Sequence, residues 1–157
     1  LLVMSFGLLI TSNAFANEES FASKAAQTNL AEIKMGELAK TKSTRENVKE
    51  YGETLCDDHE EALDELKSIA KERKFSLPTQ PSQTQQETYA MLSKLNSKDF
   101  DREFIDHMVE GHKKAIATFE EQARSNRDPE LMKFAKNTLP TLKEHLAEAQ
   151  KIQKEIR

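Results

Sequence analysis

The stretch STRENVKEYGETLCDDHEEALDELKSIAKERK, residues 43–74, decides the fold. Stepped at 100° per residue, it gathers Val48, Leu55, Ala62, Leu63, Leu66 and Ala70 into one narrow arc and leaves charged side chains to fill the rest of the circumference. Ser43 and Glu46 stand three apart at its start, the reciprocal capping arrangement that opens a helix. The segment therefore reads as a long amphipathic helix lasting to about Lys74. Such a helix has to bury its single apolar stripe on other helices. His59 falls near the middle of that stripe and so points at the core.

Upstream, residues 19 to 42 read as a first helix, and the turn that separates the two is so short that they must lie side by side and antiparallel. Downstream, FSLPTQPS at 75–82 holds two prolines and no helical period, which makes it a loop. Gln83 to Leu95 then reads as a short connecting helix. A third long helix, capped by Ser97 or Asp99, continues to about Ser125. In the turn that follows, Asp128 is suited to be an N-cap and Pro129 to be the first helical residue. The fourth helix runs to the C-terminus with Pro140 inside it, where the ring removes a backbone hydrogen bond and should bend the axis. The expectation is an all-α, antiparallel four-helix bundle over residues 17–157, with one long connection carrying a short helix.

Composition agrees with that expectation. Charged residues make up 32% of the chain, Trp is absent, and Gly and Pro number four each, a profile of long amphipathic helices. The single cysteine, Cys56, cannot close an internal disulfide, so the domain must stand on its core. Acidic and basic residues are interspersed, with a formal net charge of −4 and no basic stripe, which argues against a nucleic-acid partner.

The first sixteen residues read differently from the rest. LLVMSFGLLI is an apolar run too short to span a bilayer, and Ala14-Phe15-Ala16 has the small-x-small form that signal peptidase cleaves. Residues 1–16 are thus expected to be a signal peptide, truncated at its start because no initiator Met or basic leader precedes Leu1. The mature chain would begin at Asn17 and be exported to the periplasm. Without a Cys at the cleavage point, the reading is release rather than lipid anchoring, and no other stretch suits a membrane span.

Three more helical faces complete the core. Phe104, Met108, Ala115 and Phe119 define the stripe of the third helix, with His112 at its edge. Leu131, Ala135, Leu142, Leu146, Ala149 and Ile156 define that of the fourth, with His145 about 40° from its centre. The first helix has a stripe of small residues, Ala25, Gly36 and Ala39, which permits close helix approach, and Glu32 is the one acid inside that arc. Counted from the tight turns at ~1.5 Å rise per residue, Glu32 and His59 differ by ~7 Å in height, and His112 and His145 by about as much. Long side chains bridge such offsets.

Glu32, His59, His112 and His145 are therefore the candidate metal ligands. A neutral imidazole carries one donor and one acceptor and a carboxylate only acceptors, so burying the four together without an ion or matched partners would cost several kcal/mol. Three imidazoles and a carboxylate suit one zinc, iron, copper or manganese ion, whereas calcium or magnesium would want more oxygen. The alternative is an apo lock, in which Glu32 accepts hydrogen bonds from two histidines and fixes helix register. His107 lies about 100° off the stripe, on the solvent side. Cys56, one turn before His59, reads as a packed thiol, the competing reading being a fourth or alternative ligand. Met35, Met91, Met108 and Met132 read as core filler.

Several segments also carry a family resemblance: AEIKMGELA around Glu32, the DDH ending at His59, LKSIAKERKFSLP, DFDREF followed by GHKKAIATFE, and DPELMKFAKNTLPTLKEHLAEA. Together they resemble the exported bacterial family called domain of unknown function 4142, which implies a ferritin-like bundle and a location but no reaction. In that resemblance the acid and histidines of the motifs match Glu32, His59, His112 and His145. Ferritin-like di-iron enzymes place Glu-x-x-His on two helices. Here Cys56 stands three residues before His59 and Leu142 three before His145, so the paired glutamates are missing and any ion is expected to be single. The leading functional expectation is a periplasmic module that stores, buffers or senses one transition-metal ion. The competing one is a non-enzymatic envelope or stress-related interaction protein with structural histidines.

Overall fold

The computed structural model describes residues 9–125 and 127–157, with side chains described from residue 20 onward. Five helices follow in order: α1 (Leu9–Lys42), α2 (Glu46–Arg73), α3 (Gln83–Lys94), α4 (Ser97–Arg124) and α5 (Pro129–Ile156). There is no strand among the described residues. The first helix begins at least ten residues before the expected start near residue 19, and runs through the expected cleavage point. Residues 1–8 of the expected signal peptide lie outside the described residues.

The core lies in two apolar blocks. One gathers Ala31, Met35 and Ala39 of α1, Val48 and Leu55 of α2, Phe100 to Val109 of α4, and Ala149 and Ile152 of α5. The other gathers Phe21 to Ala26 of α1, Leu63 to Ile69 of α2, Phe119 of α4, and Leu131 to Leu142 of α5. This order fixes every helix direction. α1 and α5 run from the second block to the first, and α2 and α4 the other way. α1 packs chiefly on α2 and α4 on α5, while α2/α5 and α1/α4 are the narrower seams, so each neighbouring pair is antiparallel. The connection between α2 and α4 travels the bundle's length, the ferritin-like arrangement of two hairpins and one crossover. α3 lies on that crossover, against α1 and α4.

Close approach of α1 and α2 rests on two glycines. A Cβ added to Gly36 would sit 2.5 Å from the Gly52 carbonyl oxygen and 2.7 Å from Cys56 Sγ, and one on Gly52 would sit 2.8 Å from the Gly36 carbonyl oxygen. With no side chain on either, the backbones touch, and α1 is held near enough for its side chains to meet those of α2.

The helix ends depart from expectation in instructive ways. No capping box forms at Ser43 and Glu46: Arg45 is the extended N-cap residue and makes no side-chain cap. Ser43 Oγ instead accepts from the Arg45 amide at 3.0 Å, because the tight turn uses the hydroxyl two residues before the N-cap. α4 is capped by Asn96 rather than Ser97 or Asp99, its Oδ1 accepting from the Asp99 amide at 3.0 Å. A full capping box does occur at Ser82 and Gln85, which opens α3. At α5, Asp128 Oδ1 accepts from the amides of Glu130 and Leu131, with Pro129 at the first turn and Pro140 retained within the helix. Met91 corrects another expectation. It is 45% exposed on α3 rather than core filler, since that short helix buries only Leu92 fully.

Candidate metal centre

Between the two apolar blocks lies a polar layer, one level thick, made of Asn29 and Glu32 from α1, His59 from α2, His112 from α4 and His145 from α5. All five are buried. Each histidine takes the place on its helix where the apolar stripe passes from one block to the other. The three rings pack with centroids 5.2 to 6.0 Å apart. Each offers a ring nitrogen, and those three nitrogens all lie within 4.8 Å of one another.

The outer hydrogen bonds determine which nitrogens carry lone pairs. His112 Nδ1 stands 2.9 Å from the Met108 carbonyl oxygen, an acceptor only, so Nδ1 holds the proton and Nε2 the lone pair. His145 Nε2 stands 2.8 Å from Asp58 Oδ2, so the proton is on Nε2 and the lone pair on Nδ1. His59 Nδ1 donates to Asn29 Oδ1 at 2.8 Å, which leaves the lone pair on Nε2, an atom with no partner. Three different acceptors outside the ring cluster thus turn three lone pairs inward. Two of them, on His112 Nε2 and His145 Nδ1, face each other at 3.2 Å. In neutral rings that contact is repulsive, and it is relieved by a proton or a cation between them.

Burial disfavours the proton. His59 is held well below the ordinary histidine pKa, first by burial and then by its two neighbouring rings. His145 is also held low by burial, with the Asp58 carboxylate opposing. A metal ion accepts neutral imidazole lone pairs directly. In a tetrahedral site with bonds of 2.0 to 2.1 Å the ligand atoms stand about 3.3 Å apart, close to the observed His112–His145 separation. The residues present therefore fit a transition-metal ion in donor type and protonation, one nitrogen pair stands at the separation a shared ion needs, and the three histidines, with nitrogens within 4.8 Å of one another, can hold one.

Glu32 lies in the same layer but outside that compact group of nitrogens. It is 6% exposed, Oε2 has no hydrogen-bond partner, and Oε1 faces α4 at Gly111, where an added Cβ would sit 3.9 Å away. Its charge is felt at His145, where it favours the protonated ring. Cys56 is elsewhere: its thiol donates to the Ile33 carbonyl at 3.4 Å beside Gly36, and burial pushes it up to about 12, so it stays an unreactive packed thiol. His107 is half-buried in the wall of a cleft between α1 and α4, rather than fully solvated.

Sequence reasoning did not find Asn29, Asp58 or the Met108 carbonyl. Asn29 had a signal, since it lies three residues before Glu32 and so shares its face. Asp58 had none, because it belongs to the flank of α2 and only the α2/α5 seam brings it to His145. Tyr51 also supports the layer. Its buried hydroxyl donates to the His145 carbonyl oxygen at 3.2 Å, and its ring meets that imidazole edge to face.

An antiparallel helical bundle with a buried polar layer of three histidines and a carboxylate is the class these features define. The chain belongs to the family described as domain of unknown function (DUF4142), whose model matches residues 11–152. Among solved structures it is similar to the "Crystal structure of DUF305 fragment from Deinococcus radiodurans", with a TM-score of 0.77 at 15% identity, over 88% of this chain and 95% of that one. At that identity the likeness speaks for the fold. No curated protein matches the chain.

Proposed function

We propose that the bundle binds one transition-metal ion, zinc, iron, copper or manganese, through His59, His112 and His145, with Glu32 completing the coordination. The protein stores, buffers or senses that ion in the periplasm, to which residues 1–16 direct it as a signal peptide. The observation that supports this most is the set of inward lone pairs, each fixed by a separate outer acceptor. Metal-bound histidines are oriented by such outer partners.

Elemental analysis of untagged protein, isolated from the periplasm and then reconstituted, tests the reading. About one equivalent of a single metal is expected, and less than ~0.2 equivalents of any transition metal ends it. Chelation should also lower the melting temperature. An ion present at 100 times its dissociation constant stabilises the native state by about 2.7 kcal/mol, and His59→Ala or His112→Ala should abolish the difference.

One observation favours the structural reading instead. A single added proton on His145 would satisfy the chain Asp58–His145–His112, making it a polar lock for an interaction protein. That reading requires melting that chelators do not change.

A further inference from the structure

The α1/α4 seam is covered along only part of its length. α3 lies on it over the first apolar block, and beyond the start of α3 the seam opens into a cleft of about 500 Å³. The cleft ends at the polar layer. Glu32 and Gly111 form its floor, and Ala115, one turn beyond Gly111 on α4, keeps it wide because its side chain is a single methyl. Glu32 is only 6% exposed, and its Oε2 has no partner. A carboxylate at the bottom of a cleft, facing the helix that carries His112 and close enough for its charge to act on His145, has the chemistry of a ligand on the way to the three rings.

Among the described residues, two of the other seams are less open toward the rings. Between α1 and α2 the backbones touch at Gly36 and Gly52. On the α2/α5 side there is a surface hollow that holds Asp58, Glu61 and Glu65 and would attract cations, but Asp58 closes it inward by its 2.8 Å bond to His145. The α1/α4 cleft is not an electrostatic funnel, since Lys24 and Lys114 share its walls with Glu110. What it supplies is passage, with an oxygen ligand at the end that can take a hydrated divalent cation and deliver it to the histidines.

We propose that this cleft is the port through which a transition-metal cation enters and leaves, with Glu32 as the relay ligand. The proposal rests on the metal-binding reading, and it predicts rates rather than affinity. The test uses cobalt(II) as the probe and follows its absorbance by stopped flow during loading, then during release to excess chelator. Gly111→Leu and Ala115→Phe fill the cleft without replacing any of the three clustered histidines. Ala115→Phe should slow loading and release alike by about tenfold or more with the equilibrium affinity unchanged, and Gly111→Leu, which also crowds the Glu32 carboxylate, should slow loading by as much and weaken affinity as well. Gly111→Ala, whose added methyl makes only ordinary contact with Glu32, folds in any case and should slow both rates to a smaller degree. Thr141→Phe, in the acidic hollow, should leave both rates alone. Unchanged rates in the cleft variants, or equal slowing by Thr141→Phe, overturns the port while leaving metal binding intact. Failure of the unmodified protein to bind cobalt overturns both.

Discussion

At the residue scale, the groups that govern the centre are those that touch the histidines from outside. Asp58 is the clearest case. It is 38% exposed, yet its carboxylate fixes the tautomer of a ring that is 3% exposed. Removing it in Asp58→Ala would let the His145 proton move to Nδ1, the atom needed for coordination. Metal affinity should then fall by about 10- to 100-fold, as it does when outer partners of metal-bound histidines are lost. Isothermal titration checks this, with Asp57→Ala as control: that neighbour is exposed, and its loss should change nothing. Equal affinity in the two variants would show that the tautomer is set some other way. The inward histidines and Glu32 were legible because a helix turns by a fixed angle, so a polar residue on an apolar stripe declares its direction. Asn29 and Asp58 were not legible as partners. Their role depends on which helix lies opposite, a fact of packing that periodicity along one helix does not contain.

At the element scale, one contact and one terminus carry most of the local specificity. Gly36 and Gly52 set the α1–α2 spacing, and a methyl at Gly36 would meet backbone oxygen, which cannot rotate aside as a side chain can. Gly36→Ala should therefore destabilise by roughly 1–3 kcal/mol, against the roughly 1 kcal/mol that alanine's helix propensity would return. Gly111→Ala has the same propensity gain and only a 3.9 Å contact, so it should be neutral or stabilising. Urea midpoints for the pair decide the matter, and similar values would mean that the helices slide to accommodate the methyl. The terminus is Lys74, which ends α2 in the left-handed conformation at φ 60°, while the Phe75 amide bonds back to the Ala70 carbonyl at 3.0 Å. Lys74→Gly removes a steric penalty of 1–2 kcal/mol per residue at the expense of backbone entropy, and should gain about 0.5–1 kcal/mol in thermal or urea unfolding. Helix positions were legible from stripes and punctuation, and small residues on α1 foretold a close approach. The caps at α2 and α4 were missed by one to three residues. Ser43, Asn96, Ser97 and Asp99 all have capping side chains, and the choice among them is made by where the turn must place the next helix.

At the scale of the whole molecule, the polar layer interrupts what would otherwise be one continuous core, and it makes stability depend on pH. His59 and His145 are both held below the ordinary histidine value of 6.5, chiefly by burial. The unfolded chain has no such burial, so as pH falls through 6.5 it takes up protons that the native protein refuses. Stability is thus fully present above about pH 6.5 and declines below it, with a slope of up to about 1.4 kcal/mol per pH unit for each group. The decline continues until the depressed native values are reached. Below that point His59 and His145 charge in place, two mutually repelling imidazolium groups share one level of the bundle, and the helices separate. An ion bound as proposed would deepen the effect, because protons would compete with it for the same lone pairs. Urea midpoints of chelator-treated protein between pH 7.5 and 5.0 should fall steadily with acidification. In His59→Ala, which removes one of the two groups, they should fall less steeply. Carboxylates are the usual cause of acid unfolding, but their contribution belongs to lower pH. A profile flat from 7.5 to 5.5 would therefore mean that the layer already holds protons at neutrality, and that the inward lone pairs from which the metal centre is argued are not free.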